Sequence, residues 1–279
     1  MRFTKMQGIG NDYVYLDCMK ELPDDPQQLS IRLSDRHFGI GSDGLVLIMA
    51  SDRADFRMRM FNPDGTEAEM CGNALRCVGK YVYDNRLTNS TKITVETLAG
   101  IKTLEMQTEN GIVSNVRADM GEPVLRPQDI PVLSSKDIFV AEPVTIENRT
   151  FSVTCVSMGN PHAVAFIENV RGFPLEIYGS KMESDPLFPR RTNSDFAEVV
   201  NRKEMIMRVW ERGAGETMAC GTGACACVVA AVLNDLCDRT AVVQLRGGKL
   251  TIEWNEYDNH VYMTGPAAFV FKGETLFEE

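Results

Sequence analysis

One stretch of sequence is used twice in this chain. Cys71 and Cys220 sit in the same setting: a glutamate four residues before (Glu67, Glu216), a glycine immediately after (Gly72, Gly221), then an apolar run. The two cysteines lie 149 residues apart, and the same offset pairs Gly10-Asn11 with Gly159-Asn160, Arg59 with Arg208, and Asn62 with Glu211. A chain built this way is constrained to two halves of one fold, with a thiol at the same place in each. Two equivalent thiols suit chemistry that moves a proton on and off both faces of a single carbon.

The length of 279 residues leaves room for two domains of ordinary size, each with its own core. A net charge of −10 argues against a general nucleic-acid or anionic-membrane binder, though not against a local basic pocket for an acidic metabolite. The start, Met1-Arg2-Phe3-Thr4-Lys5-Met6, has no apolar signal core, and the longest apolar helix-like run, Ala224 to Leu233, is too short to cross a bilayer. Eight cysteines in such a chain are expected to stay reduced, in a cytoplasmic setting. Without a Cys-x-x-Cys pair, and with only His37, His162 and His260 as imidazoles, no zinc site is expected.

Strand-like segments dominate both halves. Residues 13–17, 45–48, 56–61 and 92–96 fill the first, and 163–167, 204–210, 241–245 and 249–254 the second. Alternation over 56–61 puts Arg57 and Arg59 on one face and Phe56, Met58 and Met60 on the other. Helices are expected at 73–83 and 223–233, each following a thiol and apolar on most faces, as a helix buried inside a sheet would be. A third, 25–37, reads as amphipathic and external. The segment around Pro123, Pro127 and Pro131 marks the expected crossing between halves. The pattern predicts an α+β chain of two similar domains with a cleft between them.

Gly72-Asn73 and Gly221-Thr222 fall where a first helical turn begins, so their backbone N–H groups lack intrahelical acceptors. Such N–H groups, at the positive end of the helix dipole, bind carboxylate readily. The same field is expected to lower a cysteine pKa from about 8.5 and so favour thiolate. Most buried cysteines are inert packing, and Cys18, Cys77, Cys155, Cys225, Cys227 and Cys237 fit that description. Cys71 and Cys220 differ because glycine follows each and the context repeats.

Asn11, Asn62, Asn160 and Asn193 sit in turn-like settings, where asparagine usually serves the turn. His162 alone reads as a structural histidine, and Glu211-Arg212 alone as a surface ion pair of small value. As a set around two thiols, these residues suit a substrate bearing both carboxylate and ammonium groups. Neither a phosphate-binding Gly-x-x-x-x-Gly-Lys-Ser/Thr loop nor a dinucleotide Gly-x-Gly-x-x-Gly after a strand occurs.

Four long stretches bring these residues together in order: Met6 to Asp12, Asn62 to Cys77, Ser157 to His162, and Glu211 to Ala224. In them the chain resembles the diaminopimelate epimerases, and the likeness runs from residue 2 to about residue 273. The resemblance implies a cofactor-independent isomerase that interconverts LL- and meso-diaminopimelate, on the route to lysine and peptidoglycan. It implies Cys71 and Cys220 as the acid/base pair and Gly72, Asn73, Gly221 and Thr222 as the grip on the carboxylate at the reacting centre. It further implies that Asn11, Asn62, Asn160, Asn193, Glu211 and Arg212 bind the rest of the substrate, while His162 and Glu211 assist. No metal or cofactor is implied. The implied fold is two pseudo-symmetric domains, each a mostly antiparallel sheet wrapped round a central helix. The first would be 1–118 with about 264–279, and the second 119–263. A homodimer is implied as well.

Three positions depart from the family pattern. Gly44 stands where some members have glutamine, Thr222 where many have serine, and Phe271 where a dimer-forming tyrosine is found. Proline and hydroxyproline racemases are the nearest rival, but they tend to carry histidine at the position of Asn73 and need no grip on a distal amino acid group. A redox-regulated binding protein that kept the fold is a rival of another class; it would be indifferent to loss of either thiol.

Overall fold

The structure is a computed structural model and describes residues 1–276. The end of the first expected domain, 277–279, lies outside the described residues. In chain order the elements begin with β1 (Arg2–Gly8), β2 (Asn11–Cys18), α1 (Pro26–Ser34), β3 (Leu45–Met49), β4 (Phe56–Phe61), β5 (Glu67–Ala68), α2 (Gly72–Asp84), β6 (Lys92–Thr97), β7 (Gly100–Glu109) and β8 (Ile112–Asp119). They continue with β9 (Glu142–Ile146), β10 (Arg149–Ser157), β11 (Pro161–Phe166), a short 3-10 turn at Val170–Gly172, α3 (Leu175–Glu183), β12 (Asn193–Asn201), β13 (Glu204–Glu211), β14 (Gly215–Glu216), α4 (Gly221–Leu233), β15 (Thr240–Gln244), β16 (Lys249–Trp254), β17 (Val261–Pro266) and β18 (Ala268–Glu274).

Two compact units emerge. One comprises Met1–Asp119 and the segment from Thr264; the other is Met120–Met263. Within the first, β1–β2, β3–β4, β4–β5, β6–β7 and β7–β8 pair antiparallel, while β2–β3 and β4–β6 pair parallel. The second repeats the scheme: β10–β11, β12–β13, β13–β14 and β15–β16 are antiparallel, and β11–β12 and β13–β15 parallel. Even the outer strand recurs, β18 on β1 and β9 on β10. The fold is α+β with mostly antiparallel sheet.

α2 packs on β1, β2, β7 and β8, and is buried from Gly72 to Val82. It encloses polar side chains that the sequence period hides. Arg76 has no exposed surface and donates to Gly72 O, Asn73 Oδ1 and Pro266 O, so its charge is spent on backbone and amide oxygens. α4 packs on β10, β11 and β16, and its alanine, cysteine and valine side chains let those strands close around it.

The third expected helix is shorter than its pattern. Asp25 caps it by accepting from Gln28 N, and it stops at Ser34 because the Asp35 carboxylate turns to accept from the N–H groups of His37 and Phe38. The Pro-rich segment is not a bare linker. Ile130 and Val132 are buried in the core of the second unit with Phe151, Phe173 and Phe196.

Candidate active site

Each thiol is the cap residue of the buried helix that follows it. Cys71 has extended backbone (φ −132°, ψ 121°), as does Cys220 (φ −118°, ψ 109°), and the helical hydrogen bonds begin immediately afterwards. Glycine stands at the first helical position in both, and a short hairpin leads into each. Arg59 holds Glu67 with two parallel bonds of 2.7 and 2.8 Å, and Arg208 holds Glu216 with bonds of 2.8 and 3.0 Å. The repeated glutamates therefore serve these forked ion pairs, which fix β4–β5 and β13–β14 just before each cysteine.

In the first unit the Cys71 thiol donates to Asn11 Oδ1 at 3.3 Å, and Asn73 Nδ2 donates to the same oxygen at 3.3 Å. Asn11 Nδ2 in turn donates to Asp43 Oδ2 at 2.7 Å. Asn11, Cys71 and Asn73 are thus brought into one network. Asn62 is not hydrogen-bonded into it: its amide donates to Thr66 Oγ1 across the Asn-Pro-Asp-Gly-Thr turn at 2.9 Å. Tyr13 is buried beside Asn11 and Cys71; burial, then the nearby sulfur, pushes its phenol well up.

In the second unit the Cys220 sulfur accepts from Gly223 N–H at 3.4 Å and lies 3.5 Å from Thr222 Oγ1. The Glu211 carboxylate lies close enough to act on the same thiol by its charge, and it accepts from Thr217 Oγ1. His162 Nε2 lies 3.0 Å from Thr222 Oγ1 and 3.1 Å from Asn160 Oδ1. Asn160, His162, Glu211, Cys220 and Thr222 form one cluster. Asn193 is buried and committed to backbone, donating to Pro161 O at 2.7 Å and accepting from Arg212 N at 2.9 Å. The Arg212 side chain turns outward to Arg190 O.

The expected fall in thiol pKa does not hold at Cys220. Burial first, then the carboxylates of Glu211 and Asp195, push the thiol well above its ordinary value, and the bonds from Thr222 and Gly223 only partly offset them. Burial likewise raises the Glu211 carboxyl. The helix start contributes the expected stabilisation, but the pocket around it is too dry and too acidic for that contribution to win. Among the described residues no group of three or more His, Cys, Asp or Glu side chains is arranged to hold a metal ion.

A family model described as diaminopimelate epimerase matches residues 3–126 and 154–270. The chain belongs to the diaminopimelate epimerase family. It is 63% identical over 279 residues to a protein of Acetivibrio thermocellus named diaminopimelate epimerase, covering 100% of both chains. A protein of the same name from Methanococcus maripaludis is 60% identical over 274 residues, covering 98% of this chain and 99% of that one. Among solved structures, a Bacillus anthracis phenazine biosynthesis protein of the PhzF family aligns with a TM-score of 0.73 at 15% identity, covering 99% of each chain. A hydroxyproline epimerase from Agrobacterium vitis aligns with a TM-score of 0.70 at 12% identity, covering 98% of this chain and 90% of that one. These last two share the fold.

Several neighbours of the thiols in this member of the epimerase family are not legible from the sequence. Tyr13 could have been found, since it stands at the repeat offset from His162. Asp195 could not: its repeat counterpart is Val46, and the acid becomes visible only when β11 and β12 pair in parallel. Asp43 and Thr217 likewise carry no motif of their own.

Proposed function

We propose that this chain interconverts LL- and meso-diaminopimelate by two-base proton transfer, with Cys71 and Cys220 as the acid/base pair. The observation that carries the reading is 63% identity, end to end, with a relative named diaminopimelate epimerase. In each turnover one sulfur, as thiolate, takes the α-proton while the other, as thiol, delivers a proton to the opposite face. An α-carbanion beside a carboxylate is poorly stabilised, so the N–H groups of Gly72-Asn73 and Gly221-Thr222 take the role of fixed dipoles holding that carboxylate.

Asn11, Asn62, Asn160, Asn193, Glu211 and Arg212 are assigned to the amino groups and distal carboxylate of the substrate. His162 and Glu211 assist by tuning Cys220, an assignment supported by the hydrogen bonds from His162 through Thr222 to the sulfur and by the Glu211 charge acting on it. The reading needs no added cofactor. The two compact units are assigned as the two epimerase domains, the first discontinuous. The chain is further assigned as a cytoplasmic homodimer; no described helix is long and apolar enough to cross a membrane.

The test is direct. Purified protein given LL-diaminopimelate should yield the meso isomer, followed by NMR or chiral chromatography. Cys71→Ala and Cys220→Ala should each abolish the conversion, and retention of activity by either variant refutes the two-base assignment.

A further inference from the structure

His162 and Asp195 form a buried pair whose second member the proposed mechanism leaves without a task. His162 Nδ1 lies 2.7 Å from Asp195 Oδ2, and neither side chain has exposed surface. The other carboxylate oxygen, Oδ1, is buried and has no hydrogen-bond partner among the described residues. It is packed against the first turn of α4, where a Cβ added at Gly223 would come within 2.7 Å of it. A carboxylate buried on these terms depends on its one hydrogen bond to the imidazole.

The contacts continue from the other ring nitrogen. Nε2 reaches Thr222 Oγ1 at 3.0 Å, and that oxygen lies 3.5 Å from Cys220 Sγ. Asn160 Oδ1, 3.1 Å from Nε2, can only accept, so it suits Nε2 once that nitrogen has taken up a proton. Asp195, His162, Thr222 and Cys220 form one continuous line from β12 through β11 to the start of α4. The other titratable groups facing it are Glu211 from β13 and Cys227 from within α4.

We propose that Asp195 is a positioning residue that makes His162 the acceptor for the proton leaving Cys220. In the step, the Cys220 S–H bond breaks and its proton passes to Thr222 Oγ1. The hydroxyl proton of Thr222 passes at the same time to His162 Nε2. The products are a thiolate and an imidazolium held on the Asp195 carboxylate. The net charge of the line is unchanged, and the reverse step restores the thiol. Keeping the proton close matters because burial, Glu211 and Asp195 all oppose an isolated thiolate here, so the Asp195 charge helps only through the proton held on His162 beside it. The relay belongs to Cys220 alone, since Tyr13 holds the corresponding repeat position in the first unit and a phenol cannot form such a cation. The inference rests on Cys220 being an acid/base residue.

Asp195→Asn keeps an oxygen that can accept from Nδ1 and removes the charge; Asp195→Glu keeps the charge. The amide variant should lower kcat about tenfold or more with little change in KM, and move the rising limb of kcat against pH upward by about one unit. The glutamate variant should recover part of the loss. In parallel, iodoacetamide labelling of Cys220 at neutral pH, read by peptide mass spectrometry, should slow about tenfold while Cys71 keeps its rate. A folded Asp195→Asn protein with an unchanged pH profile and unchanged Cys220 labelling overturns the proposal. Should that variant fail to fold, Thr222→Val cuts the line at His162 Nε2 while leaving the Nδ1–Asp195 bond in place; slowed Cys220 labelling supports the relay and an unchanged rate overturns it. Labelling needs no turnover, so a chain inactive on diaminopimelate would refute the proposed function and leave this arm decisive.

Discussion

The backbone N–H of Gly223 donates to the sulfur of Cys220 across 3.4 Å. A helix start usually spends that N–H on a serine, threonine or aspartate oxygen. Here a thiol occupies the cap, so the favourable end of α4 acts on the sulfur. Cys71 makes no such cap bond and donates instead to Asn11. Two thiols equivalent by repeat are thus unequal in surroundings, which suits a reaction in which they hold opposite protonation states.

Gly223→Ala should show how little room this arrangement leaves. The new Cβ would come within 2.7 Å of Asp195 Oδ1 and 3.3 Å of both Cys220 Sγ and Met207 Cε. The expected cost is about 1–3 kcal/mol by urea unfolding, with loss of most epimerisation. Wild-type activity in this variant would contradict the packing of Asp195 against α4.

Glu211→Gln should change how stability depends on pH. Burial raises the Glu211 carboxyl above its unfolded value, so the stability tied to its protonated form is full below the unfolded pKa and is lost as pH rises through the folded one. Glutamine carries no such penalty. Thermal unfolding should favour the variant more at about pH 8 than at about pH 4, although epimerase activity falls. A stability difference independent of pH would contradict the raised carboxyl.

The thiol-centred helices were legible because a glycine after each cysteine, a following apolar run and a fixed offset all agree. Alternation placed β4 correctly, with Phe56, Met58 and Met60 buried. β7 and β18 were not legible: most of their side chains are at least partly exposed, and pairing with β6 and β8, or with β1, makes them strands. α3 was hidden because Gly179 interrupts its pattern, and that glycine is needed where Trp210 Cβ packs within 2.6 Å of an added Cβ. The Cys220 cluster was half legible. Its asparagine, histidine and glutamate stand in motifs, whereas Asp195 enters only through strand pairing.

Gly44→Ala should be among the most damaging small changes. Gly44 has φ +147°, and an added Cβ would lie 2.2 Å from the Phe61 carbonyl oxygen and 2.9 Å from the Tyr13 ring. A loss of about 3 kcal/mol or more is expected in denaturant unfolding, since both backbone strain and collision oppose the methyl group. A near-neutral effect would contradict the close approach of β3 and β4 at this point.

Arg59→Ala and Arg208→Ala should differ despite their equivalence in the repeat. Both lose a forked glutamate partner, but Arg208 also donates to the carbonyls of Val170 (3.2 Å) and Phe173 (2.7 Å). Arg59→Ala is expected to cost about 1 kcal/mol and Arg208→Ala about 2–3 kcal/mol, compared by urea unfolding. Equal costs would mean that the carbonyl contacts contribute nothing.

The most direct test is solvent-deuterium incorporation at the α-carbon of LL- and meso-diaminopimelate in heavy water, with proline as control. The two-base account predicts deuterium in the epimerised product from either isomer, none in proline, and no epimerisation once Cys71 or Cys220 is replaced by alanine. Epimerisation without solvent deuterium, or its survival in either alanine variant, would contradict it.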